Sequence, residues 1–115
     1  MSSPFGGILG GLIRHRGVTG CMVVGEHDGM IVESNLQVGI QGTAFAALTA
    51  SLYRKARRAA LAAGLGEIGF FELDAEFGRV CATGRNDLVL VVVAGEHLNV
   101  GLVRVEMLDA LEALA

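Results

Sequence analysis

The sequence predicts an α+β domain with element order αββαβββα. A five-stranded antiparallel sheet carries one long helix on one face and two terminal helices on the other. Three observations predict it. Thr43 to Ala63 has no Gly or Pro and holds nine of the fifteen alanines, which makes it the strongest helix in the chain. Val18–Gly25 and Leu88–Ala94 are apolar on both alternating sets, so each needs cover on both sides of the sheet. The turns between the later apolar runs are short, which implies antiparallel pairing. With 115 residues and 12.0 kDa, residues 1–115 are expected to form a single domain.

Phe5, Ile8, Leu9 and Leu12 lie at helical spacing within Pro4 to Arg16. Ser3 suits the N-cap and Pro4 the first turn, while Gly6, Gly7, Gly10 and Gly11 weaken this helix. Val18–Gly25 and Met30–Ser34 flank Asp28-Gly29 and read as a hairpin. Asn35 to Gly42 is a connector. On the long helix, Phe45, Leu48, Leu52, Ala56 and Ala59 recur at spacings of three and four and are expected to face the sheet. Ala47, Ala50, Ser51, Arg54 and Arg58 form the opposite side, an acid-free, small-residue surface suited to another protein. On that reading, Ala50→Arg breaks association without unfolding the domain.

Gly64 is the expected left-handed cap of the long helix. Gly64, Gly66 and Gly69 match a G-x-G-x-x-G spacing, but they follow a helix and open a strand. That is the reverse of the dinucleotide fingerprint, so the match is rejected. Glu67–Asp74, Arg79–Thr83 and Leu88–Ala94 read as a meander. Val18–Gly25 belongs beside Leu88–Ala94, with Met30–Ser34 and Glu67–Asp74 as edges. The segment Phe70-Phe71-Glu72-Leu73 then offers an edge to another chain. Asn99 caps a last helix, Val100 to Leu114, with Val105, Leu108, Leu111 and Ala115 inward and Glu106, Asp109 and Glu112 outward.

The charge is uneven. Four of the nine basic residues are Arg54, Lys55, Arg57 and Arg58, and all twelve acids lie outside the stretch between Glu33 and Glu67. The net charge of −3 argues against nucleic-acid binding, even through that basic stripe. The longest strongly apolar run is far shorter than the roughly 20 residues a bilayer span needs. The N-terminal MSSPFGGILGGLI lacks a basic start and a cleavage site and reads as mature protein. Cys21 and Cys81 read as small buried thiols in a reducing cytosol, so the protein is expected to be cytoplasmic.

No P-loop, G-x-S-x-G or H-E-x-x-H motif occurs. His15, His27 and His97 fall at a helix end and in connections, without ligand spacing. Glu72, Asp74 and Glu76 read as a solvated rim. No catalytic, cofactor-binding or metal-binding residue is expected, and the chain is not expected to be an enzyme.

Several strings in order resemble the Roadblock family, the dynein-light-chain-like proteins that include MglB-type gliding regulators. They are Gly17-Val18-Thr19-Gly20-Cys21-Met22-Val23-Val24, Asp28-Gly29-Met30-Ile31-Val32-Glu33-Ser34, the Ala-rich helix, and Asn99-Val100-Gly101-Leu102-Val103-Arg104. The resemblance implies a profilin-like sheet and a homodimer, or a heterodimer with a paralogue, formed through the long helix and the adjacent edge strand. It also implies a Ras-like small GTPase as partner, with stimulation of GTP hydrolysis in some members. Mapped onto this chain, the implied dimer surface includes Ala47, Ser51, Arg54, Phe71 and Leu73. The implied partner surface draws on Ala46, Ala50, Lys55, Arg57 and Arg58. The alternative function is a small-molecule sensor, or an adaptor in a signalling complex without a GTPase.

Overall fold

A computed structural model describes residues 4–95 and 97–112. The elements are α1 (Gly6–Leu12), β1 (Val18–Gly25), β2 (Ile31–Leu36), α2 (Gly42–Ala62), β3 (Phe71–Ala75), β4 (Gly78–Arg85), β5 (Leu88–Ala94) and α3 (Val100–Glu112). The strands form one antiparallel sheet in the order β2-β1-β5-β4-β3. The doubly apolar β1 and β5 sit side by side inside it, and the more polar β2 and β3 are its edges, as the sequence predicts. The expected Ser3 cap and the inward Ala115 lie outside the described residues.

Alternation along each strand sends side chains to two separate cores. Cys21, Val23, Cys81, Leu90 and Val92 meet Leu9 and Leu12 of α1 and Val103 and Met107 of α3. Met22, Val24, Val80, Ala82, Val89 and Val91 meet Ala46, Ala50 and Tyr53 of α2. The terminal helices therefore share one face and α2 has the other. His15, three residues past the end of α1, pairs with Glu106 of α3 and ties that segment to the helix.

Local chemistry sets the ends of the elements. Asn86 and Asp87 have φ of 54° and 65°, the left-handed pair that a two-residue hairpin between β4 and β5 requires. The Asn99 Oδ1 accepts from the Leu102 N–H at 3.1 Å and caps α3. Gly64, at φ 78°, ends α2 while Leu65 N–H donates to Ala60 O at 2.9 Å. The expected strand from Glu67 begins only at Phe71, because Gly66 at φ 84° still turns the chain. Thr83 then anchors Gly69 O at 2.9 Å.

Two expected helix faces are corrected. On α3, Val103 and Met107 are the buried pair, whereas Val105 is 58% exposed. On α2, the buried positions are Gly42, Ala46, Thr49, Ala50 and Tyr53. They too recur at spacings of three and four, about one residue's rotation (roughly 100°) from the larger apolar set. Small residues win the inward side because they let α2 approach closely. Gly84 shows how closely, since a Cβ there would lie 2.8 Å from the Tyr53 ring.

Candidate interaction surfaces

The rotation of α2 gives its two flanks opposite roles from those the sequence predicts. Of Phe45, Leu48, Leu52, Ala56 and Ala59, only Phe45 packs against the core between α2 and the sheet, and it is partly buried there. Leu48 is 46% exposed, Ala59 is exposed, and Phe45, Leu52 and Ala56 are half-buried. At the start of α2 this flank meets the open edge of the sheet. Phe45, Leu48, Leu73, Phe77, Val80 and Val93 line a largely apolar groove of about 520 Å³. Along its rim runs β3, which pairs with β4 on one side only. Phe71 and Leu73 stand on the α2 side of that strand and are half-buried. Phe77, in the β3–β4 turn, is 86% exposed. A free strand edge beside an apolar helix flank presents both backbone hydrogen bonds and burial to another chain.

The opposite flank, Ala47, Ser51 and Arg54, lies toward the β1–β2 turn. Gly29, at φ 68° in that turn, comes close enough that a Cβ on it would sit 3.5 Å from Ala47 Cα. Arg54 donates from Nη1 to Glu26 O at 2.7 Å and to His27 O at 3.0 Å. Its guanidinium therefore holds the turn. Arg57 donates to Glu67 Oε2 at 3.1 Å and lies 3.5 Å from Glu26 Oε2. The Glu67 hydrogen bond raises the Arg57 pKa above its ordinary value. Lys55 and Arg58 are exposed and form no ion pair among the described residues. Half of the basic stripe is thus engaged internally and half is available.

Ala46 and Ala50, expected on the partner surface, are both 0% exposed beneath α2. No partner reaches them without unfolding the helix from the sheet, and the expectation for Ala50→Arg falls with them. Leu73 lines the groove and Phe71 packs against the α2-side core from the same strand, but Ala47, Ser51 and Arg54 lie on the other flank. Sequence reasoning did not assign Phe45, Leu48 and Phe77 to the surface. For Phe45 and Leu48 the signal is ambiguous in the sequence: two stripes of the same spacing run along α2, and hydrophobicity alone favours the one with larger side chains as the core.

At the far end of α2 lies a polar cavity of about 420 Å³, with Glu26, Tyr53, Arg57, Glu67 and Asp87 among its walls. Burial raises the Tyr53 phenol above its usual pKa, and the neighbouring Glu26 and Glu67 charges add to this, while a backbone hydrogen bond from Gly84 opposes it. The two cysteines are free and buried on the other side of the sheet. Burial pushes Cys21 up to about 12 and Cys81 up to about 11, so neither is a thiolate nucleophile at neutral pH.

Residues 6–94 match the Roadblock/LC7 domain. The chain belongs to the Roadblock/LC7 family. Over 103 residues, 90% of both chains, it is 28% identical to the uncharacterized protein MJ1340 of Methanocaldococcus jannaschii. Its fold is similar to that of Myxococcus xanthus MglB, with a TM-score of 0.81, 23% identity, and 97% of this chain and 94% of that one covered. It is also similar to an MglB in a tetrameric arrangement, with a TM-score of 0.85, 19% identity, and 100% and 90% covered. The five-stranded antiparallel sheet with three helices is that of these Roadblock/LC7 and MglB structures. No helix among the described residues is long and apolar enough to cross a membrane.

Proposed function

We propose that this chain is a non-catalytic regulator or scaffold that works as a homodimer and binds a Ras-like small GTPase in the cytoplasm. The observation that carries the reading is the continuity of the apolar α2 flank with the unpaired β3 edge. A second copy placed there pairs β3 with β3 and extends the sheet, while Leu48, Leu73 and Phe77 lose water. The tetrameric arrangement of the MglB neighbour supports self-association as a habit of this fold. The likeness to MglB-type regulators supports the GTPase as partner. Lys55 and Arg58, exposed and without an ion pair among the described residues, supply positive charge for an acidic surface on it. The chain stimulates hydrolysis, in this reading, by ordering the partner's own residues, as the Roadblock resemblance implies; Arg54 and Arg57 are already held by this chain's carbonyls and carboxylates. The two free buried thiols fit a reducing compartment.

Two measurements test it. Sedimentation equilibrium reads a dimer for the natural chain and a monomer for Leu48→Asp with Leu73→Asp, both folded by circular dichroism. Calorimetric titration with a Ras-like GTPase from the same organism reads two copies of this chain per GTPase, bound more tightly with a GTP analogue than with GDP. A natural chain that stays monomeric at high concentration refutes the dimer. Absence of binding in both nucleotide states refutes the GTPase partner.

A further inference from the structure

The turn between β1 and β2 and the turn between β4 and β5 meet at one end of the sheet. Glu26 N–H donates to Asp87 O at 2.9 Å and clamps them together. This contact brings three potential ligands into one place, although 60 residues separate His27 from Asp87 in sequence. His27 Nε2 lies 3.1 Å from Asp87 Oδ1 and 3.5 Å from Glu26 Oε2. The ligand atoms of all three residues fall within 4.8 Å of one another.

Tetrahedral zinc with N and O ligands about 2.0–2.2 Å away places those ligands roughly 3.4 Å apart. The observed separations of 3.1 and 3.5 Å bracket that value. The single Nε2 carries at most one proton and cannot donate it well to two carboxylates at once, whereas one cation satisfies both. A second observation concerns Glu26 alone. Its side chain is only 7% exposed and borders the polar cavity, yet its contacts to Arg57 and His27 are both long, at 3.5 Å. A carboxylate so deeply buried ordinarily has close partners. Arg57 keeps Glu67 at 3.1 Å and can leave Glu26 to a competing cation. Arg54 is held by the carbonyls of the turn itself. One imidazole with two carboxylates favours Zn²⁺ over Ca²⁺ or Mg²⁺, which prefer oxygen alone.

We propose that Glu26, His27 and Asp87 form a binding site for a divalent transition-metal ion of the Zn²⁺ type, which clips the two turns together. This is independent of dimerisation and of any GTPase.

The test is calorimetric titration of the full chain with Zn²⁺ alone at neutral pH in a non-chelating buffer, repeated with Co²⁺ and read by visible absorption. The expected result is one ion per chain and a rise in thermal midpoint on adding Zn²⁺. His27→Ala and Asp87→Asn each weaken binding by at least about tenfold and abolish that rise, whereas His97→Ala changes neither. Both residues are exposed, and Asn accepts the left-handed backbone at position 87, so these variants fold. Absence of binding up to millimolar Zn²⁺ overturns the site. Binding that survives both variants, or that His97→Ala removes, overturns it equally.

Discussion

The two faces of the sheet are covered in different ways. On the α1/α3 face, Leu9, Leu12, Val103 and Met107 are large side chains sealed within one core, and two helices share the cover. On the α2 face a single helix lies close, on Ala46, Thr49, Ala50 and Tyr53, and its larger apolar residues splay outward beside β3. The first face is complete in one chain. The second is built thin at the centre and left open at the side, which is the geometry a partner chain can finish.

The sharpest way to break that comparison is Ala50→Arg. Ala50 is 0% exposed between α2 and the sheet, so the variant must bury a charge or expel the helix. It should lose more than about 4 kcal/mol and unfold cooperatively at much lower urea, if it folds at all. A well-folded Ala50→Arg monomer would return Ala50 to the surface and refute the observed helix rotation. Leu12→Ala is the matching lesion on the closed face. Leu12 is also 0% exposed, and its truncation should cost about 2–5 kcal/mol in urea unfolding. Leu48→Ala, on the open flank, should cost the isolated chain well under half as much. Equal losses for Leu12 and Leu48 would erase the distinction between a sealed face and an open one.

The element order, the pairing of β1 with β5, both edge strands and the division of helices between faces were legible in the sequence. Val-rich runs without a polar side can only lie inside a sheet, and the turn residues Asp28-Gly29 and Asn86-Asp87 mark their ends. The rotation of α2 was not legible. Two stripes share the same spacing, and hydrophobicity alone favours Phe45, Leu48 and Leu52. What decides is close approach: a Cβ at Gly84 would lie 2.8 Å from the Tyr53 ring, so the sheet is shaped to take Tyr53 from the inward stripe. The same limit applies to Arg54 and Arg57, whose internal partners lie in distant turns. The grouping of Glu26, His27 and Asp87 also depends on two hairpins meeting, which no local pattern encodes.

Alkali sharpens the comparison from the closed side. Cys21 and Cys81 both project into the α1/α3 core, and burial raises them to about 12 and about 11 from 9.0. Above pH 9 the unfolded chain releases thiol protons that the folded chain retains. Stability therefore falls as pH rises, by up to about 1.4 kcal/mol per pH unit for each thiol, until the folded values are reached. Urea midpoints measured from neutral pH to pH 10 should show this decline. Cys21→Ala and Cys81→Ala should each flatten the slope even though each also lowers the starting stability. A slope unchanged in both variants would assign the alkaline sensitivity to other groups, Tyr53 on the open face first among them.

The smallest effect belongs to the outer surface of α2. Lys55 and Arg58 are exposed, and neither has an ionic partner among the described residues, so Lys55→Glu with Arg58→Glu should leave urea stability within about 0.5 kcal/mol. The double variant should also leave the dimer intact, because the apolar groove does not include either residue. Its effect should fall on the association rate with an acidic partner and shrink as salt is added, since both charges face solvent. Arg57→Glu offers the contrast. Arg57 is tied to Glu67, so reversing it places four acids, Glu26, Glu67, Asp87 and the new one, around a single cavity. That variant should lose stability as well as affinity. If the Lys55/Arg58 pair proved equally destabilising, these residues would be structural, and the positive surface of α2 would have no claim on a partner.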